Sequence, residues 1–183
     1  MSNTLIRLIT AAICIPLVLF LLFTPNPQFF SVLVTVISVL GLHEMFLLCE
    51  SRGYRPYVAF GFFMVIAMQI SLYQGIPHFV FPKFMLETAP MLTVLVIGLL
   101  LAMLSRGRSE DSNIISMGLT VFAVLYMGLL PGFMIRLREI REGSNWVFLL
   151  FIITWGFDSG AFAWGKKFGR TKMWVEVSPG KSW

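Results

Sequence analysis

Asp158 stands inside an apolar run and is followed by five basic residues, Lys166, Lys167, Arg170, Lys172 and Lys181, in a stretch punctuated by glycine and serine. A carboxylate held away from water is unfavourable unless it meets a cation, a metal or a water-filled cavity. Glycine beside lysine, with the hydroxyls of Ser178 and Ser182 nearby, suits a phosphoanion, because absent side chains let backbone N–H groups and ammonium groups approach phosphate oxygens together. Residues 155–183, reading WGFDSGAFAWGKKFGRTKMWVEVSPGKSW, therefore point to phosphate and metal chemistry at a membrane surface.

Simpler readings compete with parts of this pattern. Gly156 and Gly160 form a GxxxG pair, which in membranes commonly means close helix packing. The basic run also serves as an anchor for the preceding span, but an anchor explains neither Asp158 nor the arrangement from Ser178 to Ser182. Two near-matches to a P-loop fail: Gly160 to Lys167 places lysine where serine or threonine is needed, and Gly180-Lys181-Ser182 has valine at 175 in place of the first glycine.

The elements that position these residues are membrane helices. With 57% hydrophobic and 13% charged residues and a mean hydropathy of +0.83, the chain is too apolar for a soluble domain, whose charged fraction is roughly a quarter. Its 183 residues accommodate about six helices of roughly 20 apolar residues each, with no room for a separate soluble domain. Spans are expected at 5–23, 29–49, 57–73, 89–104, 114–135 and 146–165. An uncleaved first span is preferred to a signal peptide, because the turn Thr24-Pro25-Asn26-Pro27 follows where a small-x-small cleavage site would stand. Residues 1–145 make an N-terminal transmembrane bundle; residues 146–183 hold the last span and a basic loop. The fold class is all-α, a polytopic membrane helix bundle.

Within the spans, Pro16 is tolerable in the first and Pro131 predicts a break or kink in the fifth. His43 and Glu44 suggest HExxH, but Leu47 occupies the second histidine position. Glu44, at a cost of about 2.5–3.5 kcal/mol in mid-helix, either faces a bundle interior or snorkels toward Arg52 or Arg55. Residues 74–88, with Phe79, Phe81 and Phe84, read as an interfacial loop in which His78 is a surface residue. Cys14 and Cys49 lack metal-ligand spacing and read as inert rather than as a disulfide.

Counting lysine and arginine on alternate sides of the spans gives ten on the side of Arg7 and Lys181 against four (Lys83, Arg136, Arg138 and Arg141) on the other. The richer side, with the N-terminus, is expected in the cytoplasm. The arginines at 136–141 run against that count, with Glu139 and Glu142 partly offsetting them. The net charge of +5 lies in short clusters between apolar runs, which fits anionic headgroups and not nucleic acid. If the last span starts at Trp146 on the outer side, Asp158 lies about 18 Å into a core about 30 Å thick, in its inner half.

Asp158-Ser159-Gly160-Ala161-Phe162, then Gly165-Lys166 and Phe168-Gly169, then Val177-Ser178-Pro179-Gly180-Lys181-Ser182-Trp183 resemble the phosphatidate cytidylyltransferase (CDP-diacylglycerol synthase) family, with its DSGAY-type, GKxFGK-type and VSPGKTW segments. Phe162, Arg170 and Ser182 replace tyrosine, lysine and threonine. The resemblance extends over the whole chain but is specific in the last thirty residues. Family members continue past this tryptophan into a Gly-rich segment and a Lys-Asp signature with acidic metal ligands, so the chain is expected to be an N-terminal portion of such an enzyme.

The resemblance implies transfer of a cytidylyl group from CTP to phosphatidate, with Mg²⁺ as cofactor, in phospholipid biosynthesis at a bacterial inner membrane, the site facing the cytoplasm. It implies catalytic roles for Asp158, Lys166 and Lys181, substrate contacts from Ser159, Gly160, Lys167, Ser178, Gly180 and Ser182, and a metal contact from Asp158. A homodimer is a further expectation. The alternative is a non-catalytic membrane protein that binds anionic lipid or a partner subunit; a small transporter has no internal repeat or paired broken helices to support it.

Overall fold

The computed structural model describes residues 3–73, 88–105, 110–168, 172–174 and 178–182. Helices α1 (Asn3–Phe23), α2 (Pro27–Ser51), α3 (Val58–Leu72), α4 (Thr88–Ser105), α5 (Glu110–Val124), α6 (Leu130–Glu139) and α7 (Gly143–Phe168) account for most of them, and a π turn, Leu125–Leu129, joins α5 to α6. Each of the six expected spans falls on helix. Three stretches, Pro27–Ser51, Asn113–Glu139 and Gly143–Gly165, are long and apolar enough to cross a membrane, and Ile9–Phe23, Val58–Leu72 and Ala89–Leu104 are shorter apolar helices. The chain is an all-α membrane helix bundle with one small β-ribbon. The expected aromatic loop with His78, and Arg106 and Arg108, lie outside the described residues.

Local chemistry explains the boundaries. Thr24 closes α1, its amide and hydroxyl both donating to the Phe20 carbonyl at 3.0 and 2.7 Å. Asn26 opens α2: its Oδ1 accepts from the Gln28 amide at 2.9 Å, and Pro27 occupies the first turn, where a missing N–H costs nothing. After α2 the chain turns through Gly53, at φ +81°, a conformation that glycine alone adopts without a Cβ penalty.

At Pro131, where a break or kink is expected, the helix widens into a π turn and runs on. Lacking an N–H, and with a ring that crowds the preceding turn, the proline sits in the first turn of α6 just after the ladder widens, with the Leu130 amide bonded to the Leu125 carbonyl. The π turn absorbs the proline and keeps the run from α5 to α6 continuous.

The chain divides into two units, Met1–Ser144 and Asn145–Trp183. The core of the first is built on α3, with Met64, Val65 and Met68 fully buried among Leu42 and Phe46 of α2, Leu95 and Leu99 of α4 and Ala123 and Val124 of α5. Small residues allow this close approach. A Cβ at Gly61 would meet the Phe46 ring, one at Gly128 would lie 2.9 Å from Val65 Cγ2, and one at Gly132 would run into Leu72 Cδ1. Gly128 and Gly132 thus form a GxxxG groove for α3. Leu101 and Leu104, at 62% and 81% exposure, turn outward from this unit, as lipid-facing residues do.

Two buried polar bonds hold α3. At its start the Tyr57 amide donates to Thr120 Oγ1 at 2.9 Å, while the same hydroxyl donates to the Ser116 carbonyl at 2.7 Å. Near its end Gln69, 2% exposed, donates through Nε2 to Ser38 Oγ at 3.0 Å and to the Gly128 carbonyl at 2.8 Å.

Candidate functional site

The candidate residues belong to the unit Asn145–Trp183. Its helix α7 runs past the expected end of the span, through Lys166 and Lys167 to Phe168, so the first basic residues are helical rather than in a loop. Thr154 donates its hydroxyl to the Leu150 carbonyl at 2.8 Å, which satisfies a polar group in an apolar run. Phe151 and Trp155 stack with ring centroids 5.1 Å apart and planes 7° apart.

Asp158, Ser159, Gly160 and Lys167 are exposed on α7. The neighbouring aromatics Phe157, Phe162 and Trp164 are exposed too, at 75%, 73% and 66%. A Cβ at Gly156 or Gly160 meets no described atom within 4 Å, so in this unit the GxxxG pair is not a packing groove. Helix geometry separates the charges. Position 166 lies about 12 Å along the axis from Asp158 and about 80° around it, and position 167 lies about 13 Å along and on the opposite side. By helix geometry alone, positions 166 and 167 do not lie on the turn next to Asp158.

The remaining candidates lie on a two-stranded antiparallel ribbon, β1 (Lys172–Trp174) and β2 (Ser178–Ser182), where only the backbone is described. Lys172 is opposite Ser182 and Trp174 opposite Ser178, with an irregularity between. Ser178, Gly180, Lys181 and Ser182 thus share one strand. Where a basic loop is expected, the ribbon pairs backbone groups that a Gly- and Pro-rich composition gives no reason to pair. Gly169, Arg170, residues 175–177 and Trp183 lie outside the described residues.

Among the described residues no group of three His, Cys, Asp or Glu side chains is placed to hold a metal. Asp158 is the acidic side chain that unit offers among them. Glu44 is exposed on α2 and does not enter the core around Leu42 and Phe46, so the bundle-interior reading is not realised in its unit. His43 lies beside Phe62, ring centroids 6.4 Å apart. Both cysteines are free thiols.

Two arrangements in the first unit escaped the sequence reading. Gln69 sits in an apolar run with partners 31 and 59 residues away, a relation without a local signature. Arg138, counted only as a loop charge, donates from Nε to the Leu22 carbonyl and from its terminal nitrogen to the Thr24 carbonyl, each at 2.9 Å.

Comparison with known proteins bears on the whole chain. A model of the Cytidylyltransferase family matches residues 5–183. A phosphatidate cytidylyltransferase of Pseudomonas aeruginosa is 27% identical over 184 residues, covering 97% of this chain and 63% of that protein. One from Bacillus subtilis is 33% identical over 66 residues, 36% of this chain and 24% of its own length, and one from Staphylococcus aureus is 36% identical over 62 residues, 34% of this chain and 23% of its own. The chain thus spans less than two thirds of the length of these relatives. No solved structure matches it. The match across 5–183, on a membrane helix bundle, makes the chain a member of the cytidylyltransferase family.

Proposed function

We propose that this chain carries part of a phosphatidate cytidylyltransferase, acting on CTP and phosphatidate to give CDP-diacylglycerol and pyrophosphate in phospholipid biosynthesis. The observation that carries this reading is the family match over nearly the whole chain, together with relatives bearing that name. A phosphate oxygen of the lipid attacks the α-phosphorus of CTP; a new P–O bond forms as the bond to the β-phosphate breaks, and pyrophosphate leaves. Little covalent chemistry falls to the protein, so its task is to position two anions against each other and stabilise the developing charge.

The residues divide that task. Lys166, Lys167 and Lys181 contact phosphate oxygens, and Ser178 and Ser182 hydrogen-bond to them. Gly180 leaves its amide open to close approach, and Ser159 and Gly160 keep the helix surface beside Asp158 small. Mg²⁺ commonly takes one or two carboxylates and fills its remaining positions from phosphates and water, and one exposed carboxylate in Asp158 fits that donor set. When bound it neutralises phosphate charge. Asp158 alternatively orients a lysine across the gap of about 12 Å through the bound phosphates. The charge count of the loops supports a cytoplasmic face for these groups, in a bacterial inner membrane, and a homodimer remains part of the reading.

The exposed Trp164 and Lys167 on the last turns of α7 favour a second reading, in which this end of the helix holds anionic lipid at the interface without catalysis. The assay that separates the two uses a full-length family enzyme carrying these residues, purified into lipid vesicles with CTP, phosphatidate and Mg²⁺. Labelled cytidine entering the lipid phase with matching release of pyrophosphate is expected; vesicle binding with no product above that of Asp158→Asn overturns the catalytic reading.

A further inference from the structure

In the first unit a notch of about 270 Å³ opens between the start of α2 and the end of α3, lined by Gln28, Ser31, Val32, Thr35, Gln69, Ile70 and Tyr73. Positions 28, 31, 32 and 35 share one helix face. Among the described residues the lining is uncharged. Its hydrogen-bonding is nonetheless directional. Ser31 donates to the Pro27 carbonyl at 3.1 Å and Thr35 to the Ser31 carbonyl at 2.8 Å, so both hydroxyl hydrogens are engaged and both oxygens remain acceptors. Gln28 Oε1 already accepts from Asn26 Nδ2 at 3.2 Å, which leaves its amide nitrogen to donate.

Gln69 adds an independent sign of a ligand. It is 98% buried by its 2% exposure, both hydrogens of Nε2 are engaged by Ser38 and Gly128, and its Oε1 has no partner among the described residues. An unmet buried acceptor costs about 1–3 kcal/mol, and Gln69 lines the notch, so a hydrogen-bond donor that penetrates from it to Oε1 recovers what the fold leaves unmet. The space exceeds one water, whose share of liquid volume is about 30 Å³. Val32 and Ile70, 60% and 40% exposed, extend the notch as an apolar track along the outside of the unit. Asn26 and Pro27 mark the helix end, the level at which headgroups lie.

We propose that this notch binds a neutral lipid through the free hydroxyls of its headgroup, with the acyl chain lying along Val32 and Ile70. Hydroxyls both donate and accept, which matches an uncharged lining of acceptors and donors; the site is independent of the phosphate chemistry proposed above.

The test is native mass spectrometry of the full chain released from detergent, titrated with monoolein, with methyl oleate, which has the same chain and no hydroxyl, and with glycerol. Wild-type protein should retain one monoolein at least about tenfold more tightly than methyl oleate, and Ser31→Ala/Thr35→Val should lose about that factor, since each tenfold is about 1.4 kcal/mol. Gln69→Met serves as a second probe, with circular dichroism confirming helix content. Equal retention of monoolein and methyl oleate, retention of neither, or monoolein binding unchanged in both variants overturns the proposal, and glycerol binding as tightly as monoolein overturns the lipid as its source.

Discussion

Arg138 of α6 grips the carboxyl end of α1 across 116 residues of sequence, its Nε 2.9 Å from the Leu22 carbonyl and its terminal nitrogen 2.9 Å from the Thr24 carbonyl. The last carbonyls of a helix lack intrahelical partners and carry the negative end of its dipole, so a planar cation with a two-pronged donor set is suited to that end. Leu22, fully buried, is held by the same contact. The relation also accounts for one arginine that ran against the loop-charge count: Arg138 is engaged in closing a helix, and its presence there has a structural cause.

Replacing Arg138 should therefore weaken the first unit. Arg138→Ala is expected to cost about 2 kcal/mol, in the range for hydrogen bonds to charged groups. Arg138→Lys should recover less than half of it, because an ammonium group does not reproduce the fork. Thermal unfolding in detergent, followed by circular dichroism, measures both; wild-type stability in Arg138→Lys would show that charge alone matters.

Thr120 tests the buried bond at the start of α3. Thr120→Val keeps the shape but leaves the Tyr57 amide without its acceptor, a loss of about 1–3 kcal/mol. Thr120→Ser retains the hydroxyl and should unfold within about 1 kcal/mol of wild type, the usual scale for a conservative buried change. Amide hydrogen exchange at Tyr57 should rise in the valine variant and stay protected in the serine one.

Glycine pairs of identical spacing should behave oppositely. Gly128→Ala brings a methyl against Val65, including its Cα at 3.4 Å, and is expected to cost about 1–3 kcal/mol through overpacking. Gly132→Ala meets the tip of Leu72, which can rotate, and should cost less. Gly156→Ala and Gly160→Ala face open space in their unit and should be neutral or gain up to about 1 kcal/mol from helix propensity. Denaturation in graded detergent ranks the four.

For the reaction, Asp158→Asn should lower cytidylyl transfer by about 100-fold or more, the scale for removing one electrostatic contributor in a phosphoryl-type transition state. Lys167→Ala should weaken substrate binding more than turnover. Radiolabelled CTP incorporation into lipid, resolved into kcat and KM, checks both; normal turnover in Asp158→Asn would remove Asp158 from the site.

What the sequence made legible follows from what is local. Apolar runs marked every membrane helix, and Pro131 announced a disturbance because its missing N–H is intrinsic to the residue. That the disturbance is a π turn, with the Gly128 carbonyl accepting from Gln69, depends on a helix 59 residues away and left no trace in the run itself. Likewise GxxxG at 128–132 and at 156–160 looks the same in sequence, and only the partner helix distinguishes a groove from an open face. Glu44 admits two environments in the sequence because periodicity in a nearly uniform apolar helix gives no face; its exposure is a property of packing. The candidate lysines and serines were found by type and spacing, while the ribbon that sets Lys172 opposite Ser182 was hidden by residues that ordinarily signal loops.

The bonds at Tyr57 and Gln69 lie twelve residues apart, about 18 Å along α3. A helix fastened at a single point can swivel or ratchet by a turn, but displacing this one breaks both fastenings together. The central helix is therefore a fixed post, and whatever opening a lipid needs to reach the membrane face of this bundle must come from the helices around it.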